Sequence, residues 1–173
     1  LNDTLLALFD GTALTEFGSI GADGVRGTVT GVESVTADLG GGANDDLDYF
    51  GSTAAVTVDL GAGTASGFTS IAGIEDVAGG AGNDILISAA GVANILIGEG
   101  GNDTFTVHEA GDQVSGGDGV DTVLFDNNVA GSTYQITDGD VENLTLIGAA
   151  NINGTGNGSA NVLTGNDGNN TLN

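Results

Sequence analysis

Three stretches decide the fold: Gly79-Gly80-Ala81-Gly82-Asn83-Asp84-Ile85-Leu86-Ile87, Gly98-Glu99-Gly100-Gly101-Asn102-Asp103-Thr104-Phe105-Thr106 and Gly116-Gly117-Asp118-Gly119-Val120-Asp121-Thr122-Val123-Leu124. Each nonapeptide opens on glycine, carries aspartate at its sixth place and sets a large apolar residue at its eighth. The frame persists between them, in Ala89 to Ile97 with Asn94 and Leu96 at those places, and in Val107 to Ser115 with Asp112 and Val114. The sixth-place residues 84, 94, 103, 112 and 121 are therefore spaced by 10, 9, 9 and 9. Neither a helical period nor simple alternation generates that spacing. A repeat of about nine residues with one slip near Ser88 does.

Weaker copies flank this block. Upstream the frame fits Asp3 with Leu5, Asp23 with Val25 and Asp45 with Leu47; downstream it fits Asn161 with Leu163 and Asn170 with Leu172. A second motif, Gly31-Val32-Glu33-Ser34-Val35, returns as Gly73-Ile74-Glu75-Asp76-Val77 and as Asp140-Val141-Glu142-Asn143-Leu144, and reads as strands opening new runs of coils. Ala55-Val56-Thr57-Val58-Asp59-Leu60 and Asn143-Leu144-Thr145-Leu146-Ile147 alternate with period two and favour β-branched residues, as half-buried strands do. No segment carries a helical stripe. The chain divides into a degenerate repeat block (1–50), a strand-rich spacer (51–78), the regular block (79–124), a second spacer (125–150) and an asparagine-variant block (151–173). Together they are expected to form one continuous solenoid-like all-β domain.

Composition narrows the chemistry. The 173 residues include 33 glycines and no proline, cysteine, methionine or tryptophan, and 24 acidic residues stand against a single Lys or Arg, for a formal charge of -23. Such a chain repels nucleic acid and anionic membranes and attracts cations. No apolar run is long enough for a membrane helix, so no membrane insertion is expected. Without cysteine there is neither a disulfide framework nor a thiolate site, and the remaining hard carboxylate and carbonyl oxygens suit calcium over zinc. Glycine makes sense of the turns, since it lets the backbone aim several carbonyls at one spot. One apolar side chain per nonapeptide is too little burial to offset the entropy of ordering the chain, so cation binding is expected to contribute to folding.

The block 79–124 resembles the RTX (repeats-in-toxin, hemolysin-type) family, whose nonapeptide is Gly-Gly-x-Gly-x-Asp-x-U-x with U large and apolar. The resemblance implies a parallel β-roll in which six residues turn, three form a strand, two nonapeptides complete a coil, and Ca2+ sits between stacked turns. The implied carboxylate ligands are Asp84, Asp103 and Asp121 along one edge. Asp112 and the neutral Asn94 lie along the other, and Asp45 belongs to the upstream copy. The carbonyls of Gly79, Gly80, Ala81 and Gly82 serve the first turn, Gly98 and Gly100 the second, and Gly116 the third, with Asp118 as a further candidate. Residues eighteen apart stack, so Asp84 shares a cation with Asp103, and Asp103 with Asp121. The Asn161 and Asn170 coils are expected to be metal-free, held by stacked amide hydrogen bonds.

The resemblance further implies a bacterial, secreted or cell-surface protein exported in one step and folded on meeting calcium outside. The chain lacks a charged-then-apolar leader and stops inside a repeat, and so reads as a portion of something larger. The expected function is a calcium-binding structural or interaction module of a surface layer, matrix or adhesin, contacting other surface components, and not an enzyme. Two alternatives stand beside it: a filament or lattice subunit pairing end to end with copies of itself, and an accessory domain of a secreted enzyme or toxin. A phosphate loop is excluded because no lysine follows any glycine run. His108 with Glu109 reads as an exposed loop, Arg26 as a local ion-pair partner, and Glu33, Glu75 and Glu142 as solvated. Tyr49, Phe50, Phe68 and Phe125 read as core or end caps.

Overall fold

The computed structural model describes residues 4–19, 27–28, 34–41 and 44–173; Asp3, Asp23, Arg26 and Glu33 lie outside the described residues. The strands are short, because a glycine-bearing turn interrupts each one. In chain order they are β1 (Thr4–Phe9), β2 (Leu14–Ser19), β3 (Gly27–Thr28), β4 (Thr36–Asp38), β5 (Asp46–Asp48), β6 (Thr57–Asp59), β7 (Thr64–Ala65), β8 (Ser70–Ala72) and β9 (Asp76–Gly80). There follow β10 (Ile85–Ile87), β11 (Ile95–Gly100), β12 (Thr104–Val107), β13 (Gln113–Asp118), β14 (Thr122–Phe125), β15 (Thr133–Gln135), β16 (Asn143–Leu146), β17 (Asn153–Thr155) and β18 (Val162–Thr164). Among the described residues there is no helix, as the missing helical stripe predicts.

Two seven-stranded sheets dominate, one ordered β13-β11-β9-β5-β1-β2-β3 and the other β18-β16-β14-β12-β10-β6-β7. From β9 to β14 the chain visits them alternately. Neighbours within a sheet are therefore two strands apart in sequence and run parallel. The register gives the pitch: Ile85 pairs with Thr104 and Thr104 with Thr122, steps of 19 and 18 residues, while Asp76 pairs with Ile95 and Ile95 with Gln113, again 19 and 18. Two nonapeptides make one step.

At the borders of this block the steps lengthen, and they return to 19 between Asn143 and Val162. Thr57 lies opposite Ile85 and Asp46 opposite Asp76, 28 and 30 residues apart. Downstream, Thr122 lies opposite Asn143 at 21. At the other end β1, β2 and β3 pair antiparallel, as do β6 and β7. The β1–β2 reversal is set by Asp10, whose Oδ1 accepts from the Thr12 and Ala13 N–H groups at 2.9 Å each and closes a tight turn.

The eighth-place residues Leu47, Leu86, Leu96, Phe105, Val114 and Val123 line the interior, whereas Leu172, eighth in the last copy, is 40% exposed. Leu47, Val77, Leu96 and Val114 stand in register on one sheet, Val58, Leu86, Phe105, Val123 and Leu144 on the other, and all belong to one buried cluster. A second inward residue follows two places later, as Val107, Phe125 and Leu146. The core is thus richer than one side chain per nonapeptide, because β12, β14 and β16 run one residue longer than the motif requires. Among the aromatics, Tyr49 and Phe125 are fully buried and Phe68 packs against the core, whereas Phe50 is 63% exposed.

Candidate metal centre

Asp84, Asp103 and Asp121 each immediately precede a strand of one sheet, at the edge where the chain crosses from β9, β11 and β13 to β10, β12 and β14. The crossing is tighter than a six-residue turn, since Gly79 and Gly80, Gly98 to Gly100, and Gly116 to Asp118 still belong to strands. Because the coils are 18 or 19 residues long, the three aspartates stack. Each Oδ1 accepts the main-chain N–H of its counterpart one coil back: Val56 to Asp84 at 2.8 Å, Asp84 to Asp103 at 2.7 Å, and Asp103 to Asp121 at 2.7 Å. The series ends on a glutamate, with the Asp121 N–H donating to Glu142 Oε2 at 2.8 Å.

The second oxygen of each aspartate has no such partner. Oδ2 of Asp84, Asp103 and Asp121 is buried without a hydrogen bond, and the three residues are at most 1% exposed. A buried anionic oxygen left unmatched is costly. Burial accordingly pushes the Asp84 carboxyl up to about 7, helped by the neighbouring Asp103 charge. It pushes Asp103 up to about 6, helped by Asp121, and raises Asp121 as well, with Glu142, Asp138 and Asp140 adding repulsion. A backbone N–H to each carboxylate works against the rise and is outweighed.

The first-place glycines are explained by these same oxygens. A Cβ on Gly79 would collide with Asp84 Oδ2 and lie 3.1 Å from the Gly98 carbonyl oxygen. On Gly98 it would collide with Asp103 Oδ2 and sit 2.6 Å from the Gly116 carbonyl oxygen, and on Gly116 it would meet Asp121 Oδ2 and the Asp140 carbonyl oxygen. Each unpartnered carboxylate oxygen therefore shares a small space with a carbonyl of the next coil. That donor set, all hard oxygen and partly anionic, fits a calcium-class cation. Among the described residues no group of three His, Cys, Asp or Glu side chains could hold a metal ion. Any cation here would thus draw many of its ligands from the main chain.

The other implied ligands differ in setting. Gly80 reaches toward the upstream coil, where a Cβ would lie 2.7 Å from the Ser52 carbonyl oxygen, and Gly82 likewise approaches Ala54. Ala81 donates its N–H to Ser52. Gly100 pairs with Asp118 at the ends of β11 and β13, and the Asp118 side chain is exposed.

On the opposite edge Asn94 stacks on Asp112, its N–H donating to Asp112 Oδ1 at 3.0 Å. Both ends of the Asn94 amide are engaged, Oδ1 accepting the Ala89 N–H and Nδ2 donating to the Glu75 carbonyl. Asp112 Oδ2 accepts the His108 and Glu109 N–H groups at 3.1 Å each. Asp45 is fully buried in the same tier, its N–H donating to Glu75 Oε2 at 3.1 Å. Oxygens on this edge are already matched by protein donors at Asn94 and Asp112.

In the asparagine-variant block, Asn161 Oδ1 accepts the Asn157 N–H while its Nδ2 donates to Val141 O at 2.9 Å, and Asn170 does the same with Asn166 and Ile152. The amide oxygen lies beside the first-place glycine, Gly156 or Gly165, as Oδ2 of Asp84, Asp103 and Asp121 does, but there it accepts an N–H, while Nδ2 faces the coil before. His108 is held by its turn, its N–H donating to Ser88 Oγ at 3.0 Å, with Nδ1 3.2 Å from the same oxygen.

Glu75 and Glu142, read from sequence as solvated, are half-buried and perform the aspartate's stacking role. The signal was present: each is followed two places later by an inward apolar residue, Val77 or Leu144, as sixth-place aspartates are. Searches of protein-family models, of curated proteins and of solved structures each find no match to this chain.

Proposed function

We propose that this chain is an RTX-type parallel β-roll that holds calcium along the Asp84–Asp103–Asp121 edge and serves outside the cell as a structural or interaction module. The observation that carries this reading is the row of three buried Oδ2 atoms without partners, repeated at the pitch of the coils. A bound divalent cation would neutralise carboxylates that otherwise repel one another along the stack. Asp84 and the Gly98 carbonyl would hold one ion, and Asp103 with the Gly116 carbonyl the next. The alternation of the chain between two sheets, with parallel pairing from β9 to β14, supports the β-roll.

Because the ligands come from separate coils, the site exists only when the chain is folded. Binding energy then becomes folding energy, growing as RT ln(1 + [L]/Kd) for each site. In calcium-poor surroundings the -23 charge keeps the chain open; in calcium it closes. That linkage suits a segment exported unfolded and made rigid on arrival. The experiment is far-UV circular dichroism of the chain in excess chelator and in millimolar calcium. The expected result is a large gain of β signal with calcium, and identical spectra in the two buffers would refute the reading.

A further inference from the structure

The aspartate ladder ends against a segment that is not a glycine-rich nonapeptide. Residues 137–142, Thr-Asp-Gly-Asp-Val-Glu, face the Asp121 turn. Asp121 is fully buried with Oδ2 unpartnered, and the position a Cβ on Gly116 would take is crowded by that oxygen and the Asp140 carbonyl together. Asp138 Oδ1 accepts the Asp140 N–H at 2.9 Å, which fixes the bend carrying this carbonyl. The charges acting on Asp121 are those of Glu142, Asp138 and Asp140, whereas the charge acting on Asp84 is that of Asp103, and on Asp103 that of Asp121.

We propose that Asp121 Oδ2 and the Asp140 carbonyl oxygen form a closing calcium site, to which the carboxylates of Asp138, Asp140 and Glu142 add negative charge, and that it binds more tightly than the sites above it. This rests on reading the ladder as calcium sites. Affinity for calcium rises with the negative charge gathered around the ion and with the rigidity of its donors. The closing site has more of the first, and the Asp138 cap supplies the second. Asp138 and Asp140 act mainly by charge. The site also bridges the longest step downstream of β10, from Thr122 to Asn143. An ion there ties the aspartate coils to the asparagine coils and loads first.

The test is calorimetric calcium titration of the full chain, comparing the Asp138→Asn/Asp140→Asn double variant with Asp84→Asn, each checked by circular dichroism at saturating calcium. The double variant is expected to weaken the tightest binding step by about tenfold or more, and Asp84→Asn to keep that step and lose a weaker one. Should the double variant not reach the wild-type spectrum, Asp140→Asn, whose side chain is exposed, reports on the same step. An unchanged tightest step without Asp138 and Asp140, or its loss in Asp84→Asn, overturns the closing site while leaving the ladder standing. Absence of any calcium uptake by the wild type overturns both.

Discussion

At Gly98 a methyl group has nowhere to go, since Asp103 Oδ2 and the Gly116 carbonyl already fill its place. Gly98→Ala must push the aspartate out of line or open the coil. It should destabilise by about 2–4 kcal/mol, in the range of overpacking and broken buried contacts. One residue later the demand is different. Gly80, Glu99 and Gly117 occupy equivalent places at φ of +149°, +74° and +96°, and Glu99 is the sole non-glycine with positive φ among the described residues. A side chain held there is strained by about 1–2 kcal/mol, so Glu99→Gly should raise the urea midpoint in saturating calcium while Gly98→Ala lowers it. Equal effects of the two changes would show that glycine serves one purpose at both places. Sequence reading attributed the turn glycines to positive φ and to crowding by converging carbonyls; it could not see that the first place is reserved for an oxygen from five residues further along the chain.

The ladder is an element whose members differ by one atom pair. Beside their first-place glycines Asn161 and Asn170 set an oxygen that accepts an N–H, where Asp84, Asp103 and Asp121 present an unmatched oxygen. Replacing all three aspartates with asparagine should therefore separate folding from calcium. In chelator the triple variant should be more stable than wild type by about 1–3 kcal/mol for each new satisfied amide, and calorimetry should find the calcium steps of the ladder gone. A triple variant that still needs calcium to fold would mean the aspartates are not the source of the dependence. The stacking of this edge was legible from the eighteen-residue spacing. The contrasting satisfaction of Asp112 was not, because it depends on the His108 and Glu109 N–H groups turning back toward its carboxylate, and residue types do not encode that turn.

Across the whole molecule the raised carboxyls link folding to pH. The ordinary aspartate value is 3.8, and the folded chain raises Asp84 to about 7 and Asp103 to about 6. Between these limits the folded state binds more protons than the unfolded one, so stability falls as pH rises. The contribution is fully present below about 3.8 and is lost through pH 6 to 7. Calcium-free protein should accordingly gain β signal on acidification from neutral pH to about pH 5, and calcium should bind less tightly there because protons compete for the same oxygens. A calcium-free chain that loses structure on mild acidification would contradict the burial of these groups. On the proposed reading, protons and calcium act in the same direction on folding because each relieves the same buried charge.

Period and polarity were determined by the sequence alone. A nine-residue repeat with an apolar eighth place dictates short strands, an inward row such as Leu86, Phe105 and Val123, and no helix, because only that geometry returns the apolar residue to one face at each step. The acidic composition likewise raised the expectation of cations as partners without reference to coordinates. Tertiary structure decided which oxygens remain unmatched, since that depends on what the neighbouring coil offers. A backbone N–H reaches one oxygen of Asp84, Asp103, Asp112 and Asp121, further donors reach the second oxygen of Asp112, and none reaches Oδ2 of Asp84, Asp103 or Asp121. It also enlisted Glu75 and Glu142, whose extra methylene still delivers an oxygen to the N–H one coil away. Periodicity places residues; hydrogen-bond satisfaction belongs to pairs distant in sequence, and it emerges only when the coils are laid on one another.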